Sequence, residues 1–261
     1  MIVAVCLALA APLFAFASSN RRVVVVASHA KGTAAAVCPK GEHVEFGGLA
    51  SEYKNGTALL PEGARLTASN RWTVYGWNNV PKSKGLHLTS VAYCGHGSAL
   101  TVASKTVPLH GTATAVATCP HGTVVVGGGY NSGASLNHQE ELDQLDRRSS
   151  TQWEVSMRNF GAATALTAYA YCTTGPAPSV VASAKVMLTD TLNKKPSTAR
   201  ANCPNGTALV GGGLRVGPAK PGNLSFVAVL DWVAPTSTQW AVTAINASAT
   251  TSVLQAFAYC R

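Results

Sequence analysis

Six cysteines define the most readable chemistry in this chain. They stand in three matched pairs, Cys38 with Cys94, Cys119 with Cys172 and Cys203 with Cys260. Each pair opens on Cys-Pro-x-Gly and closes on Ala-Tyr-Cys. Six thiols allow 15 connectivities in principle, but the threefold recurrence favours one bridge inside each unit. Such a bridge closes a loop of about 55 residues and stabilises the fold by roughly 4 kcal/mol in the chain-entropy account. A structural zinc site needs ligands at closer spacing than any of these pairs provides.

The remaining reactive side chains do not assemble into a recognisable catalytic pattern. All seven histidines, His29, His43, His87, His96, His110, His121 and His138, lie in the first two units, so no site built on them could be threefold. There is no Gly-x-Ser-x-Gly elbow, no His-x-x-x-His on a helix and no cysteine left over as a nucleophile in the repeats. Carboxylates are few, and Glu140, Glu141, Asp143 and Asp146 cluster beside Arg147 and Arg148. A glycosidase needs two carboxyl groups facing each other across a cleft. A hydrolase would therefore require two of Glu52, Glu62, Glu140, Asp143 and Asp231 to converge with a raised pKa, and we expect that they do not. The cluster also lacks the alternate spacing and glycine of a calcium loop. The expectation is no catalytic residue, no metal and no cofactor. Binding is the better prospect: Trp77 with Asn78, and Trp232 with Asp231, have no evident counterpart in the other units. A Trp beside Asn or Asp suits stacking on a sugar ring while its neighbours take the hydroxyls. The competing use of these aromatics is core packing.

The elements that would position these groups are strands. Each unit opens on an apolar alternating segment, at 23–26, 100–107 and 180–188. A short second strand then leads into the first cysteine. Cys-Pro-x-Gly reads as a type I turn with Pro second and Gly fourth. Strand-like 123–126 and 207–210 run into Gly127-Gly128-Gly129 and Gly211-Gly212-Gly213, matched in the first unit by Phe46-Gly47-Gly48. No helix follows, so the dinucleotide fingerprint fails, and the glycines mark a bulge or a close approach of two backbones. The Trp-x-Val strands at Trp72, Trp153 and Trp240 alternate as half-buried strands do. In the closing strands the cysteine shares a face with small residues and the aromatics take the other. Residues 137–148 look irregular but occupy the place of a strand, and are read as a charged edge.

Residues 1–17 are apolar and end on Ala15-Phe16-Ala17, as a secretory signal does. Its removal would take Cys6 and leave the six paired cysteines in an oxidising compartment. The formal charge of +9 divides as +5 over 21–96, −1 over 97–175 and +5 over 176–261. Such a balance suits a glycan surface or an anionic cell-envelope polymer. Nucleic acid is not expected, because no basic helix or aromatic-basic interleaving is present. No transmembrane segment is expected in the mature chain.

These motifs as a set, over nearly the whole mature chain, resemble a group of secreted bacterial repeat proteins, common in actinobacteria, with CPxG, GGG, WxV and AYC units. That group brings no activity to carry over. The first unit departs from it in having Glu42 where the others have Thr and one glycine fewer, so its turn and bulge are expected to differ. A shorter likeness, in Cys-Pro-x-Gly and repeat number, is to vitelline membrane outer layer protein. It implies a β-prism of three sheets about a pseudo-threefold axis, with a carbohydrate-related surface. The expectation is thus an all-β protein of three disulfide-closed antiparallel units, 18–96, 97–175 and 176–261, packed with pseudo-threefold symmetry. Three tandem small β-sandwiches are the alternative. The expected role is a secreted, non-enzymatic binding or structural protein of the extracellular space or envelope, with a secreted carbohydrate-active hydrolase as the alternative.

Overall fold

The computed structural model describes residues 18–54, 57–78, 85–133, 140–189, 195–219 and 226–261. Residues 1–17, read above as a secretory signal, and His138 lie outside them. All regular structure in these residues is strand. The first unit contributes β1 (Ser18–Val26), β2 (Ala30–Val37), β3 (His43–Ser51), the small hairpin β4 (Tyr53–Lys54) and β5 (Thr57–Ala58), β6 (Leu60–Ala68), β7 (Arg71–Asn78) and β8 (Leu86–Gly95). The second runs through β9 (Thr101–Thr118), β10 (Val124–Ser132), β11 (Glu140–Ser149) and β12 (Gln152–Thr173). The third runs through β13 (Ser179–Ala182), β14 (Val186–Leu188), β15 (Ser197–Asn202), β16 (Leu209–Pro218), β17 (Val227–Thr236), β18 (Gln239–Asn246) and β19 (Ser252–Cys260).

Strand pairing shows why the units are not beads. In one face β1, β8 and β3 of the first unit join β17, β18 and β15 of the third. The next face takes the first half of β9, the second half of β12 and β10 from the second unit, and β6, β7 and β2 from the first. The last takes β13, β14, β19 and β16 from the third unit, and β11 with the remaining halves of β12 and β9 from the second. Each unit therefore lends three strands to one face and three to another, with β13 and β14 counted as one interrupted strand along β19. The chain closes as a ring, because β3 of the first unit pairs with β17 of the third. β9 and β12 pass from one face to the next at an irregularity between Asn159 and Thr164, so their two faces form one continuous sheet. One hydrophobic core draws on all three units, and the tandem-sandwich alternative is set aside.

The repeated motifs act on this ring in three equivalent ways. The disulfides join Cys38 to Cys94, Cys119 to Cys172 and Cys203 to Cys260. Trp72, Trp153 and Trp240 are buried, and a Cβ on Gly47, Gly128 or Gly212 would overlap the indole of its own unit. The middle glycine thus exists to let the Trp ring lie on the neighbouring backbone. Third, each Ala-Tyr-Cys tyrosine reaches across a seam between units. The Leu66, Arg147 and Ala234 amides donate to the hydroxyls of Tyr171, Tyr259 and Tyr93 at 2.9, 2.7 and 2.6 Å. The seams themselves are short ladders, such as Leu49 opposite Trp232 and Ala50 opposite Asp231, so these side-chain bonds are a large part of what closes them.

Three local expectations need correction. In the Cys-Pro-x-Gly turn the amides of Glu42, Thr123 and Thr207 donate to the carbonyls of Pro39, Pro120 and Pro204. Pro is therefore the first residue of the turn and Gly the third, with φ of +88°, +81° and +81° at Gly41, Gly122 and Gly206. That conformation strains any residue with a Cβ. Glu42 keeps the same turn as the two threonines, and the bulge next to it falls at the same place in all three units. The charged stretch around Glu140 is no edge: β11 pairs with β12 on one side and β16 on the other. Its charges are compensated instead, Asp143 by a bidentate bond from Arg158 at 2.8 to 3.0 Å and Asp146 by Arg215.

Candidate functional site

The bulge builds the site. Val44 pairs with Cys94 and Phe46 with Tyr93, which leaves Glu45 as the extra residue. Val126 and Val210 are the extra residues at the same point of the other two units. These three positions converge on a cavity of about 180 Å³ at the disulfide end of the ring, walled also by His43, Val44, Ser98, Leu100, Thr173, Leu209 and Arg261. Every unit contributes to it, so the cavity sits where the three units meet.

Its polar groups break the threefold pattern. Glu45 stands where the other units have Val. Gly95 stands where they have Thr173 and Arg261 directly after the closing cysteine. The two departures are coupled, because a Cβ on Gly95 would occupy the space of the Glu45 carboxylate. No hydrogen bond or ion pair among the described residues engages that carboxylate. Burial raises the Glu45 pKa, the charge of Glu42 adds to the rise and His96 opposes it. Glu42 itself accepts from Ser18 at 3.1 Å and lies 4.0 Å from the His96 ring. Arg261, also on the cavity wall, is held by backbone pairing with Ala208 and by donation from Nη2 to the Pro176 carbonyl at 2.7 Å. Burial lowers its pKa, and the charge of Arg147 lowers it further. Arg261 Nε and His43 Nδ1 are buried with no hydrogen-bond partner. An apolar floor with one carboxylate and one guanidinium that do not pair with each other can orient a small ligand.

The residues singled out from sequence fall elsewhere. Trp77 is half-buried on β7, opposite Leu60 and Lys31. Asn78 is fully buried, and its Nδ2 donates to the Val26 carbonyl at 2.8 Å. Asn159 and Asn246 make the same bond to Leu109 and Leu188 at 3.2 and 3.0 Å. Asn78 thus belongs to the repeat, as the last residue of a Trp-x-Val-x-x-x-Asn pattern that the sequence reading did not extend far enough to see. Trp232 is not an exposed aromatic: it is 2% exposed, part of the common core, with its ring 6.2 Å from that of Tyr130. It takes the strand position held by Ala64 and Leu145 in the other units, so its lack of a Trp counterpart reflects core filling. Asp231 accepts from the Ser51 amide at 3.0 Å, and burial pushes its pKa up to about 6. The pairs lie on different faces, β7 against β17, and Trp232 is part of the core.

The carboxylates weighed for hydrolysis are largely tied to separate partners. Glu52 accepts from the His87 amide at 2.9 Å and its carboxylate lies 3.1 Å from the same ring. Glu62 lies 3.9 Å from Lys31 Nζ, and Asp143 is clasped by Arg158. Glu140 lines a second cleft at the opposite end of the ring together with Glu141, Tyr130 and Trp232. Glu141, which the sequence reading placed only in the charged cluster, accepts from the Val227 amide at 2.6 Å and meets Arg158 at 3.0 Å. Burial pushes its pKa up to about 7. That cleft holds about 20 Å³, room for about one water and none for a sugar ring. Among the described residues no three His, Cys, Asp or Glu side chains gather as metal ligands, and no helix is long and apolar enough to cross a membrane. No protein-family model matches the chain, and no curated protein matches it in sequence.

Proposed function

We propose that the protein is a secreted, non-enzymatic binding module of the extracellular space or cell envelope, with its ligand seated in the cavity at the disulfide end. The observation that carries this reading is Glu45: a carboxylate without a partner, where valine fills the other two units, with Gly95 making room for it. Burying such a group costs stability, and a fold that has valine available at this point retains the costlier residue where it serves binding. Three disulfides of the kind that persist in oxidising compartments support the extracellular setting, and the basic first and third units suit work near anionic envelope polymers or glycans. The cavity's rigid walls, fixed by the bulges and bridges of three units, lower the ordering cost of binding.

The test is a screen of the oxidised protein against small metabolites and oligosaccharides by thermal shift and ligand-observed NMR, beside Val126→Trp, which fills the cavity, and Trp77→Ala. Binding abolished by Val126→Trp and kept by Trp77→Ala supports the reading. Oligosaccharide binding lost only in Trp77→Ala moves the site to the outer sheet. Turnover of a glycoside that depends on Glu140 or Glu141 turns the protein into a hydrolase.

A further inference from the structure

Building on the binding role proposed above, we infer that the cavity at the disulfide end takes a small zwitterionic peptide with apolar side chains. Its ammonium end meets Glu45 and its carboxylate end meets Arg261. The first argument is charge. Glu45 and Arg261 both line the cavity, and no ion pair among the described residues joins them. The carboxylate and the guanidinium are therefore set apart on the cavity wall and do not neutralise each other. A ligand with a single charge would compensate one half-buried group and leave the other without a charge partner. A dipolar ligand satisfies both.

Hydrogen bonding leads the same way. Arg261 lines the cavity, and within the protein its guanidinium donates from Nη2 to the Pro176 carbonyl. A carboxylate meets the remaining donors in the charge-assisted geometry that guanidinium favours. Glu45 accepts and wants a donor; an ammonium group brings several. The rest of the wall is Val44, Leu100, Val126, Leu209 and Val210 with Ser98, Thr173 and His43, and its apolar side chains ask for an apolar body. Size sets the remaining bound. The cavity's 180 Å³ is roughly ten times what one water needs, so it suits a di- or tripeptide and excludes a long polymer. A peptide also separates its two charges by at least one amide unit, which suits groups that do not pair with each other, whereas a single α-amino acid holds both on one carbon.

The test is calorimetric titration of the oxidised full chain with leucyl-leucine as the probe, alongside N-acetyl-leucyl-leucine, which lacks the ammonium, and leucyl-leucinamide, which lacks the carboxylate. Glu45→Val installs the residue of the other units and Arg261→Gln removes the guanidinium; circular dichroism checks that both variants fold. We expect acetylation and Glu45→Val each to weaken binding at least tenfold, with little further loss when combined. The same is expected of amidation and Arg261→Gln. Affinity should fall as pH drops through the raised pKa of Glu45, because ammonium binding favours the ionised carboxylate. Equal affinity for the blocked peptides, or for Glu45→Val, overturns the inference, as does no binding of any of the three peptides. In that last case a different ligand that Val126→Trp excludes leaves the binding role standing, and the absence of any such ligand removes both.

Discussion

Glu141 provides a quantitative test of the packing between the second and third units. Its side chain is fully buried, one oxygen accepts from the Val227 amide and the other has no partner. Burial pushes its pKa from 4.5 up to about 7. The native chain therefore keeps a proton that the unfolded chain releases as pH rises above 4.5. Stability contributed by this group is complete below the unfolded pKa and is lost as pH climbs through the native one. At about 1.4 kcal/mol per unit, the ionised carboxylate costs about 3 kcal/mol by pH 8. Glu141→Gln keeps the acceptor for Val227, places a donor where the unpaired oxygen stands and leaves Arg158 its bond to Asp143. Urea unfolding of both proteins with disulfides intact, at pH 5, 6, 7 and 8, should show the two nearly equal at pH 5. The variant should be more stable by about 3 kcal/mol at pH 8, and the parent should lose stability across that interval. Asp143, Asp146 and Asp231, all raised chiefly by burial, add slope of the same sign. A parent whose stability climbs from pH 5 to 8, or a variant that is the weaker protein at pH 8, would refute this reasoning.

Four further outcomes are expected. Tyr171→Phe strands the Leu66 amide at a seam and should cost about 1–3 kcal/mol in chemical unfolding, with Tyr93→Phe and Tyr259→Phe alike because their bonds are equivalent. Trp232→Ala should cost about 3–5 kcal/mol, while Trp77→Ala, on a half-buried outer position, costs clearly less; the reverse order would place Trp232 outside the core. Replacing Cys119 and Cys172 together by serine opens a loop of sequence separation 53 and should remove roughly 4 kcal/mol, read as a lowered urea midpoint. Gly95→Thr restores the residue type of the second unit, displaces the Glu45 carboxylate and should abolish ligand binding in titrations while the fold persists by circular dichroism.

What the residues announced, and what they hid, follows from physical range. Local signals were legible: alternation gave strands, the paired cysteines gave the bridges, and the glycine run after a strand pointed to a bulge or a close backbone approach, of which the bulge falls just before the glycines and the close approach on them. The turn was misplaced by one residue because Pro tolerates both the first and second positions, and only the positive φ at Gly41, Gly122 and Gly206 decides between them. Strand exchange between units left no trace in the sequence, since a repeat reads the same whether its strands pair with its own unit or the next. Trp232 misled for a related reason: its counterparts are Ala64 and Leu145, so a core position occupied by three different sizes looks like an aromatic outside the pattern. Glu45 was invisible because a bulge breaks period-two alternation, and its partnership with Gly95 joins the two ends of a unit.

The central claim is that the cavity where the three units meet is where this protein binds. Its most direct test is methyl NMR of the oxidised protein labelled at valine and leucine, titrated with each small molecule and oligosaccharide recovered from a binding screen. The account predicts shifts concentrated at Val44, Leu100, Val126, Leu209 and Val210 and abolished by Val126→Trp. Shifts confined to residues around Trp77 or Leu60, unchanged by that substitution, would contradict it.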